Sequence, residues 1–271
     1  MPFIVIDGPD GTGKTTVAEA LASRLRGYVA EQREIDSSYP FTGVTSTREP
    51  HTKRVREWLS DSSVSARELL IVFAHDRDLH LREVVEPALA RGEIVVCDRY
   101  TYSTVAYQTL HNPPELVEAL VSHVRKPDLT VMLTCPVEVA MARIVARGLP
   151  PDRYDQRADL QARVSETYAA CAAKDPACVV VDASGTPEDV LETVLFVVRQ
   201  YLLTYTEVMV TLAPFVGERN SPELRERVSK VIRDRWAAVY TPSTSVIAVE
   251  GRGETLTVRV RVGGRLEKGE T

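Results

Sequence analysis

Short apolar runs alternate with longer amphipathic stretches over about the first 205 of the 271 residues. The short runs are rich in valine, isoleucine and leucine, as is typical of parallel strands buried on both faces, and the stretches between them repeat apolar residues at helical spacing. This alternation predicts a doubly wound α/β domain with a five-stranded parallel sheet, whose ligands gather at the carboxyl ends of the strands. Strands are predicted at Phe3–Asp7, Val44–Arg48, Ile94–Asp98, Leu129–Thr134 and Val179–Asp182, and helices at Lys14–Arg26, Ser65–Arg91, Pro114–Val124, Val137–Arg147, Leu160–Ala173 and Pro187–Tyr201.

The last sixty or so residues follow a different pattern. A linker is predicted at Leu212–Asn220, and a helix begins at Ser221-Pro222-Glu223, which combines a capping hydroxyl, a proline in the first turn and an early acid. Two strands, Val246–Val249 and Leu256–Val262, are predicted to form a hairpin through residues 250–254.

This change of pattern divides the chain into an expected domain over residues 1–205 and a small α+β extension over residues 206–271, made of linker, helix and β-hairpin. The last strand places Arg259 and Arg261 on the face opposite its apolar residues. A charged outward face is ordinary for an antiparallel sheet, so we favour a simple appendage with solvated arginines. A surface for oligomerisation or for an anionic partner is the alternative.

The amino-acid composition and net charge limit the classes of function that the chain can be expected to have. Hydrophobic residues make up 44% and charged residues 26% of the chain, as in ordinary globular proteins, and a net charge of −5 gives no reason to expect a nucleic-acid partner. The four cysteines lack metal-ligand spacing, which favours free thiols in a reducing compartment. The most apolar stretch, Val190–Val216, contains Glu192, Arg199 and Glu207, so we expect no membrane span. With the first strand at the N-terminus and no signal peptide visible, we expect a cytoplasmic protein.

The run from Gly8 to Thr15 fits the phosphate-loop pattern G-x-x-x-x-G-K-[ST] between a predicted strand and a predicted helix. Its glycines let backbone N–H groups curl around a phosphate, and the helix N-terminus adds a partial positive charge. Lys14 can reach the β- and γ-phosphates of a nucleoside triphosphate, and the hydroxyl of Thr15 can ligate Mg²⁺. The alternative, a glycine-rich turn that binds nothing, is disfavoured by the complete signature. The candidate phosphate-binding residues are Gly8, Asp10, Gly11, Thr12, Gly13, Lys14, Thr15 and Thr16.

Three further clusters surround this loop in the predicted fold. Asp98-Arg99-Tyr100 closes a buried strand, where the carboxylate can hold Mg²⁺ and Arg99 can clamp a phosphate. Thr47-Arg48-Glu49-Pro50 ends another strand, so Arg48 can meet the phosphate of a second substrate. Phe73 and Arg77 lie four residues apart on one helix face and together can form a platform for a base, although, taken alone, such a phenylalanine is more often a core ring and such an arginine more often a solvated charge.

In order and spacing, these clusters resemble the thymidylate kinase family over roughly residues 1–205. The resemblance is carried by the phosphate loop with Asp10, the Thr-Arg-Glu-Pro run, Phe73-Ala74-His75-Asp76-Arg77, and Asp98-Arg99-Tyr100 followed by Ser103, Ala106, Tyr107 and Gln108. It implies a P-loop kinase with Mg²⁺ as cofactor that converts ATP and dTMP to ADP and dTDP, and it implies a homodimer.

The resemblance also implies roles for the residues of the nucleotide sites. Asp10 is expected near the sugar 3′-hydroxyl, Arg48 at the dTMP phosphate and Arg77 at the base edge, with Phe73 stacked on thymine. Arg99 would bridge the phosphates, and Asp98 would help Thr15 to place Mg²⁺. Ser103, Tyr107 and Gln108 would line the base and sugar pocket, where Tyr107 is the candidate gate against ribose.

A lid is expected around Gly148-Leu149-Pro150-Pro151. The family divides by whether a catalytic arginine lies in the phosphate loop or in the lid, and Thr12 occupies the loop position here, so the chain resembles the lid-arginine type. Arg153 is the first candidate and Arg147 the second for contact with the transferred phosphoryl group. We expect Arg143 and Arg157 to be solvated.

The chain departs from the family at two places. His51 stands where glycine usually follows Thr-Arg-Glu-Pro, and the fourth strand ends in Thr134-Cys135-Pro136, where many relatives carry an acid. His51 is more simply an exposed loop residue than a group that faces the substrate. Two rival functions stay open at this point. One is a kinase for another deoxynucleoside monophosphate, such as dUMP or a 5-modified pyrimidine, and the other is a catalytically silent nucleotide-binding regulator.

Overall fold

A computed structural model describes residues 1–35, 37, 39–59, 61, 63–148, 158–203, 205–210, 245–252 and 255–261. The chain divides into two compact units, Met1–Leu195 and Phe196–Thr271. The predicted linker at Leu212–Asn220 and the helix predicted from Ser221 lie outside the described residues. Among the described residues, no helix has the length and apolar character needed to cross a bilayer.

The first unit contains the predicted five-stranded parallel sheet. Its strands are β1 Phe3–Asp7, β2 Gly43–Arg48, β3 Glu93–Asp98, β4 Leu129–Thr134 and β5 Cys178–Asp182, in the order β2-β3-β1-β4-β5. These bounds are nearly those that the sequence predicts. The inner strands β1, β3 and β4 are buried along almost their whole length, because they have neighbouring strands on both sides and helices on both faces, whereas the edge strands β2 and β5 are mostly half-buried or exposed.

Helices connect these strands, and two of them were not predicted: α2, Lys53–Trp58, and α5, Thr101–Gln108. The first helix also continues nine residues past its predicted end at Arg26, because Leu25 and Val29 extend its buried face. The predicted helix Ser65–Arg91 consists of α3 (Ala66–His80), a π-helical turn at Leu81–Val85, and α4 (Glu86–Ala90). The bounds are α1 Lys14–Ile35, α2 Lys53–Trp58, α3 Ala66–His80, α4 Glu86–Ala90, α5 Thr101–Gln108, α6 Pro114–Ser122, α7 Val137–Ala146, α8 Ala158–Lys174 and α9 Pro187–Leu203.

The second unit contains a three-stranded antiparallel sheet in the order β6-β8-β7. Its strands are β6 Tyr205–Val210, β7 Ser245–Arg252 and β8 Thr255–Arg261. The hairpin between β7 and β8 was predicted, although both strands run further toward the turn than expected. Strand β6 was not predicted, since it lies between the predicted helix Pro187–Tyr201 and the predicted linker Leu212–Asn220, where no element was assigned.

The register of the parallel sheet brings the functional segments to one edge. Asp98 of β3 lies beside Ile6 of β1 and Arg48 of β2, and Asp7 at the end of β1 lies beside Met132 of β4. The carboxyl ends of these strands therefore face the phosphate loop, which follows β1 directly.

Candidate functional site

The phosphate loop packs tightly on the sheet and on α7, and two of its glycines are required for this approach. Gly8 has a φ of 143° and a Cβ there would collide with the carbonyl of Leu133. Gly11 has a φ of 82° and a Cβ there would collide with the backbone of Ala140. Both positive φ values favour glycine, so the sequence pattern and the close packing have the same cause.

Lys14 is buried under this loop. Its Nζ donates to the carbonyl oxygen of Pro9 at 2.5 Å and lies 3.7 Å from a carboxylate oxygen of Asp10. Burial, together with the nearby charge of Arg99, lowers the pKa of Lys14 to about 8, although Asp10 and Asp98 oppose the shift. The ammonium is therefore incompletely compensated in the free protein, and a phosphate group would supply the missing negative charge.

Thr15 and Asp98, the predicted metal residues, are in contact. The hydroxyl of Thr15 donates to Oδ2 of Asp98 at 2.6 Å, while Oδ1 of Asp98 is buried without a hydrogen-bond partner among the described residues. A hydroxyl and an unpaired carboxylate oxygen beside a phosphate loop fit a hard cation such as Mg²⁺. The described residues contain no group of three metal-ligating side chains, so the other ligands would be phosphate oxygens and water.

Asp10 connects the phosphate loop with the segment after β3. Its carboxylate accepts hydrogen bonds from Arg99 and, at 2.5 Å, from the hydroxyl of Tyr107. Burial alone raises the pKa of Asp10, but the charges of Arg99 and Lys14 and the Tyr107 hydrogen bond outweigh burial and hold it below its usual range. Arg99 also lies 3.4 Å from the hydroxyl of Ser103, so one guanidinium bridges the loop and α5.

A cavity open to solvent lies beside this bridge, with about 630 Å³ of space that includes part of the open solvent. It contains most of the residues expected at dTMP: Asp10, Phe73, Arg77, Arg99, Ser103, Tyr107 and Gln108. It is also lined by residues that the sequence did not single out as binding groups: Glu49, Pro50, Leu59, Asp76, Tyr100 and Thr104.

Glu49 and Arg77 form a buried ion pair on the wall of this cavity. Arg77 donates from Nε and Nη2 to Oε2 of Glu49 at 2.9 and 2.6 Å, and Nη2 also donates to the hydroxyl of Thr104 at 2.7 Å. The guanidinium lies over the Tyr100 ring, 4.9 Å from its centroid. Burial alone lowers the pKa of Arg77, but the charge and hydrogen bonds of Glu49 raise it above its ordinary value. The sequence placed Glu49 inside a recognised run but gave no sign that it pairs with a residue 28 positions away.

Asp7 was not predicted as a functional residue, although it lies just before the phosphate loop. Its carboxylate accepts five hydrogen bonds, from the backbone N–H groups of Gly8, Tyr100 and Ser103 and from the hydroxyls of Ser103 and Tyr168. Burial raises the pKa of Asp7, against the lowering effect of Ser103 and Arg99. This carboxylate fixes the relative positions of β1, α5 and α8 under the cavity.

Two arginines that were predicted at the site do not line the cavity. Arg48 is exposed at the end of β2 and does not line the cavity, and Arg147 is exposed just after α7. Arg153 and Arg157 lie outside the described residues.

Arg143 is not simply solvated as expected, because its guanidinium donates to the carbonyls of Ala183, Ser184 and Gly185 at 2.7, 3.1 and 3.0 Å. This contact orders the loop between β5 and α9.

The parallel sheet, the phosphate loop and the adjoining cavity define a P-loop kinase. Residues 6–194 match the family model "Thymidylate kinase". The chain is 42% identical over 212 residues to the thymidylate kinase of Pseudomonas syringae pv. syringae (strain B728a), covering 71% of this chain and 94% of that protein. It is 35% identical over 212 residues to the thymidylate kinase of Rhodopseudomonas palustris (strain ATCC BAA-98 / CGA009), covering 74% of this chain and 90% of that protein. The chain belongs to the thymidylate kinase family.

Proposed function

We propose that the protein transfers the γ-phosphoryl group of ATP to dTMP, giving ADP and dTDP. The observation that carries this proposal is the position of Asp10 and Arg99, which belong both to the surroundings of the phosphate loop and to the lining of the adjoining cavity. Two nucleotides bound in this way would place their phosphates on either side of one guanidinium.

In this proposal, the loop backbone and Lys14 hold the β- and γ-phosphates of ATP, and Arg99 bridges the donor and acceptor phosphates. The acceptor phosphate is already an anion, so no general base is required, and catalysis consists of alignment and charge stabilisation. Thr15 and Asp98 would hold Mg²⁺, which when bound neutralises charge on the β- and γ-phosphate oxygens. Arg153, or Arg147 in second place, would contact the transferred group from the lid.

The cavity residues would select the acceptor. Phe73 provides a flat apolar surface for thymine, and Arg77 provides N–H donors at the base edge. Tyr107 is held by its hydrogen bond to Asp10, which fits a gate beside the sugar. Ser103 and Gln108 complete the lining, and Arg48 would reach the dTMP phosphate from the end of β2. We also propose a homodimer, by analogy with the family alone.

A panel of monophosphates in an ADP-coupled assay tests the proposal, with dTMP, dUMP, dCMP, dAMP and dGMP as acceptors. We expect dTMP to give the highest kcat/KM, and Lys14→Met to lower its kcat by about 10³-fold, since the lysine meets the charge that develops on the phosphates. Preference for dGMP or dAMP would contradict the thymine assignment, and turnover unaffected by Lys14→Met would contradict the site. Absence of turnover with every acceptor would favour a silent nucleotide-binding protein.

A further inference from the structure

We propose that His80 is a positioning residue for dTMP recognition, whose imidazole fixes the carboxylate of Glu49 and thereby holds Arg77 at the nucleotide cavity. The inference rests on the proposed function, because it concerns how that function selects its acceptor. His80 does not line the cavity, whereas Glu49 and Arg77 do. Any effect of His80 on the nucleotide must therefore pass through them.

Both ring nitrogens of His80 have partners at the end of β2. Nδ1 lies 3.1 Å from Oε1 of Glu49, and Nε2 lies 2.7 Å from the hydroxyl oxygen of Thr47. A carboxylate can only accept, so Nδ1 must carry the hydrogen, and Nε2 of a neutral ring then accepts from Thr47. The ring is fully buried, so water cannot replace either bond. His80 therefore joins α3 to the segment that carries Glu49.

His80 and Arg77 lie three residues apart on α3 and meet the same carboxylate. Oε1 of Glu49 accepts from Nδ1 of His80 and from Nε of Arg77, and Oε2 accepts from Nε and Nη2 of Arg77. The carboxylate therefore cannot rotate without losing a charge-assisted hydrogen bond.

This fixed carboxylate determines which edge of Arg77 is available. Nε and Nη2 are used by Glu49, and Nη2 also binds Thr104. Nη1 has no hydrogen-bond partner among the described residues. Because Arg77 lines the cavity, Nη1 is the donor left for a nucleotide base.

The departure of this chain from the family at His51 supports the same role. The His51 ring stacks on His80, with centroids 5.0 Å apart and an angle of 17° between the planes. The backbone N–H of His51 donates to Asp76 at 2.5 Å, and its Nε2 lies 3.8 Å from Glu83. The glycine usual at this position would have no ring to cover the imidazole, so His51 keeps water from one face of His80.

Two substitutions of His80 separate its two hydrogen bonds. The side-chain amide nitrogen of asparagine can occupy the position of Nδ1 and donate to Glu49, whereas that of glutamine occupies the position of Nε2 and reaches only Thr47. We expect His80→Gln to raise KM for dTMP about tenfold, with kcat and KM for ATP within about twofold, and His80→Asn to keep KM for dTMP within about threefold of the unaltered protein. His75→Gln, at an exposed position of the same helix, is the matched control and is expected to change nothing.

The steady-state constants of these variants decide the question. Equal KM values for dTMP in the two His80 variants, or a parallel rise in KM for ATP, would overturn the positioning role. If His80→Gln does not fold, His51→Gly tests the same point without removing the buried ring, and an unchanged KM for dTMP in place of the expected two- to threefold rise would overturn it. No turnover of dTMP by the unaltered protein would refute the proposed function, whereas dTMP turnover with an unaffected His80→Gln variant would refute only this inference.

Discussion

Glu49→Gln removes the charge of one buried acid and nearly preserves its shape. The side chains of Glu49 and Arg77 are only 7% and 3% exposed, so water cannot take the place of the lost carboxylate. One of the two amide positions of glutamine donates and does not accept, so either Arg77 or His80 would face an N–H group. The substitution therefore leaves an uncompensated cation in the wall of the cavity.

The magnitude follows from this burial. Breaking a buried pair by removing one partner costs about 3 to 5 kcal/mol, because the remaining charge stays desolvated. Arg77 would retain the hydroxyl of Thr104 and the face of Tyr100, so we expect a loss near the lower limit, about 3 kcal/mol of unfolding free energy. KM for dTMP should rise in the same variant, because Arg77 loses the partner that orients it.

Urea unfolding followed by circular dichroism measures the loss, with Glu86→Gln as the matched control. Glu86 pairs with Arg125 at 3.0 Å, but the two side chains are 48% and 35% exposed. An exposed pair contributes about 0 to 1 kcal/mol, so the control should remain within that range. If Glu49→Gln lowers the free energy of unfolding no more than Glu86→Gln does, the buried pair of Glu49 and Arg77 does not stabilise the first unit.

Three further predictions concern the phosphate loop and the second unit. Because the pKa of free Lys14 is about 8 and a bound phosphate would raise it, ATP binding at pH 8.5 should take up roughly 0.75 proton at this residue. Calorimetry in two buffers of different ionisation enthalpy measures this uptake, and the same uptake in Lys14→Met would assign it to another group. Asp98→Asn should raise the Mg²⁺ concentration for half-maximal activity about tenfold or more, as measured by magnesium titration of the kinase assay, and an unchanged titration would exclude Asp98 from the metal site. A chain that ends at Leu203 keeps the whole family-matched segment 6–194 and should retain kcat within about twofold; a larger loss would give the second unit a part in turnover.

The sequence predicted the inner strands β1, β3 and β4 well because burial on both faces leaves a continuous apolar run, which is readable one strand at a time. It missed α5, Thr101–Gln108, whose polar, aromatic and β-branched residues have weak helix propensity. That helix exists because Ala106 and Tyr107 pack against Met132, Val164 and Tyr168 from distant parts of the chain. Such tertiary contacts override local preference and leave no periodic signal.

The candidate site shows the same distinction between local sequence signals and contacts that are distant in the chain. Residues within a contiguous motif, such as Lys14 and Thr15, were found because their spacing carries the chemistry. Glu49, Asp7 and His80 were missed because their roles depend on partners far along the chain, as with Tyr168, which is 161 residues from Asp7. A single sequence gives no sign of such pairings.

The charges of the free site show what a buried partner such as Asp10 does in an enzyme that must bind two anions. Lys14 and Arg99 are held in place by Asp10 before any nucleotide arrives, so neither needs a large rearrangement to face a phosphate. Part of the attraction to phosphate is offset by the attraction that Asp10 already exerts on both cations. Asp10 thus lowers the affinity of Lys14 and Arg99 for phosphate, but it fixes the positions of both cations in advance. Charges that are already in position lower the barrier to phosphoryl transfer.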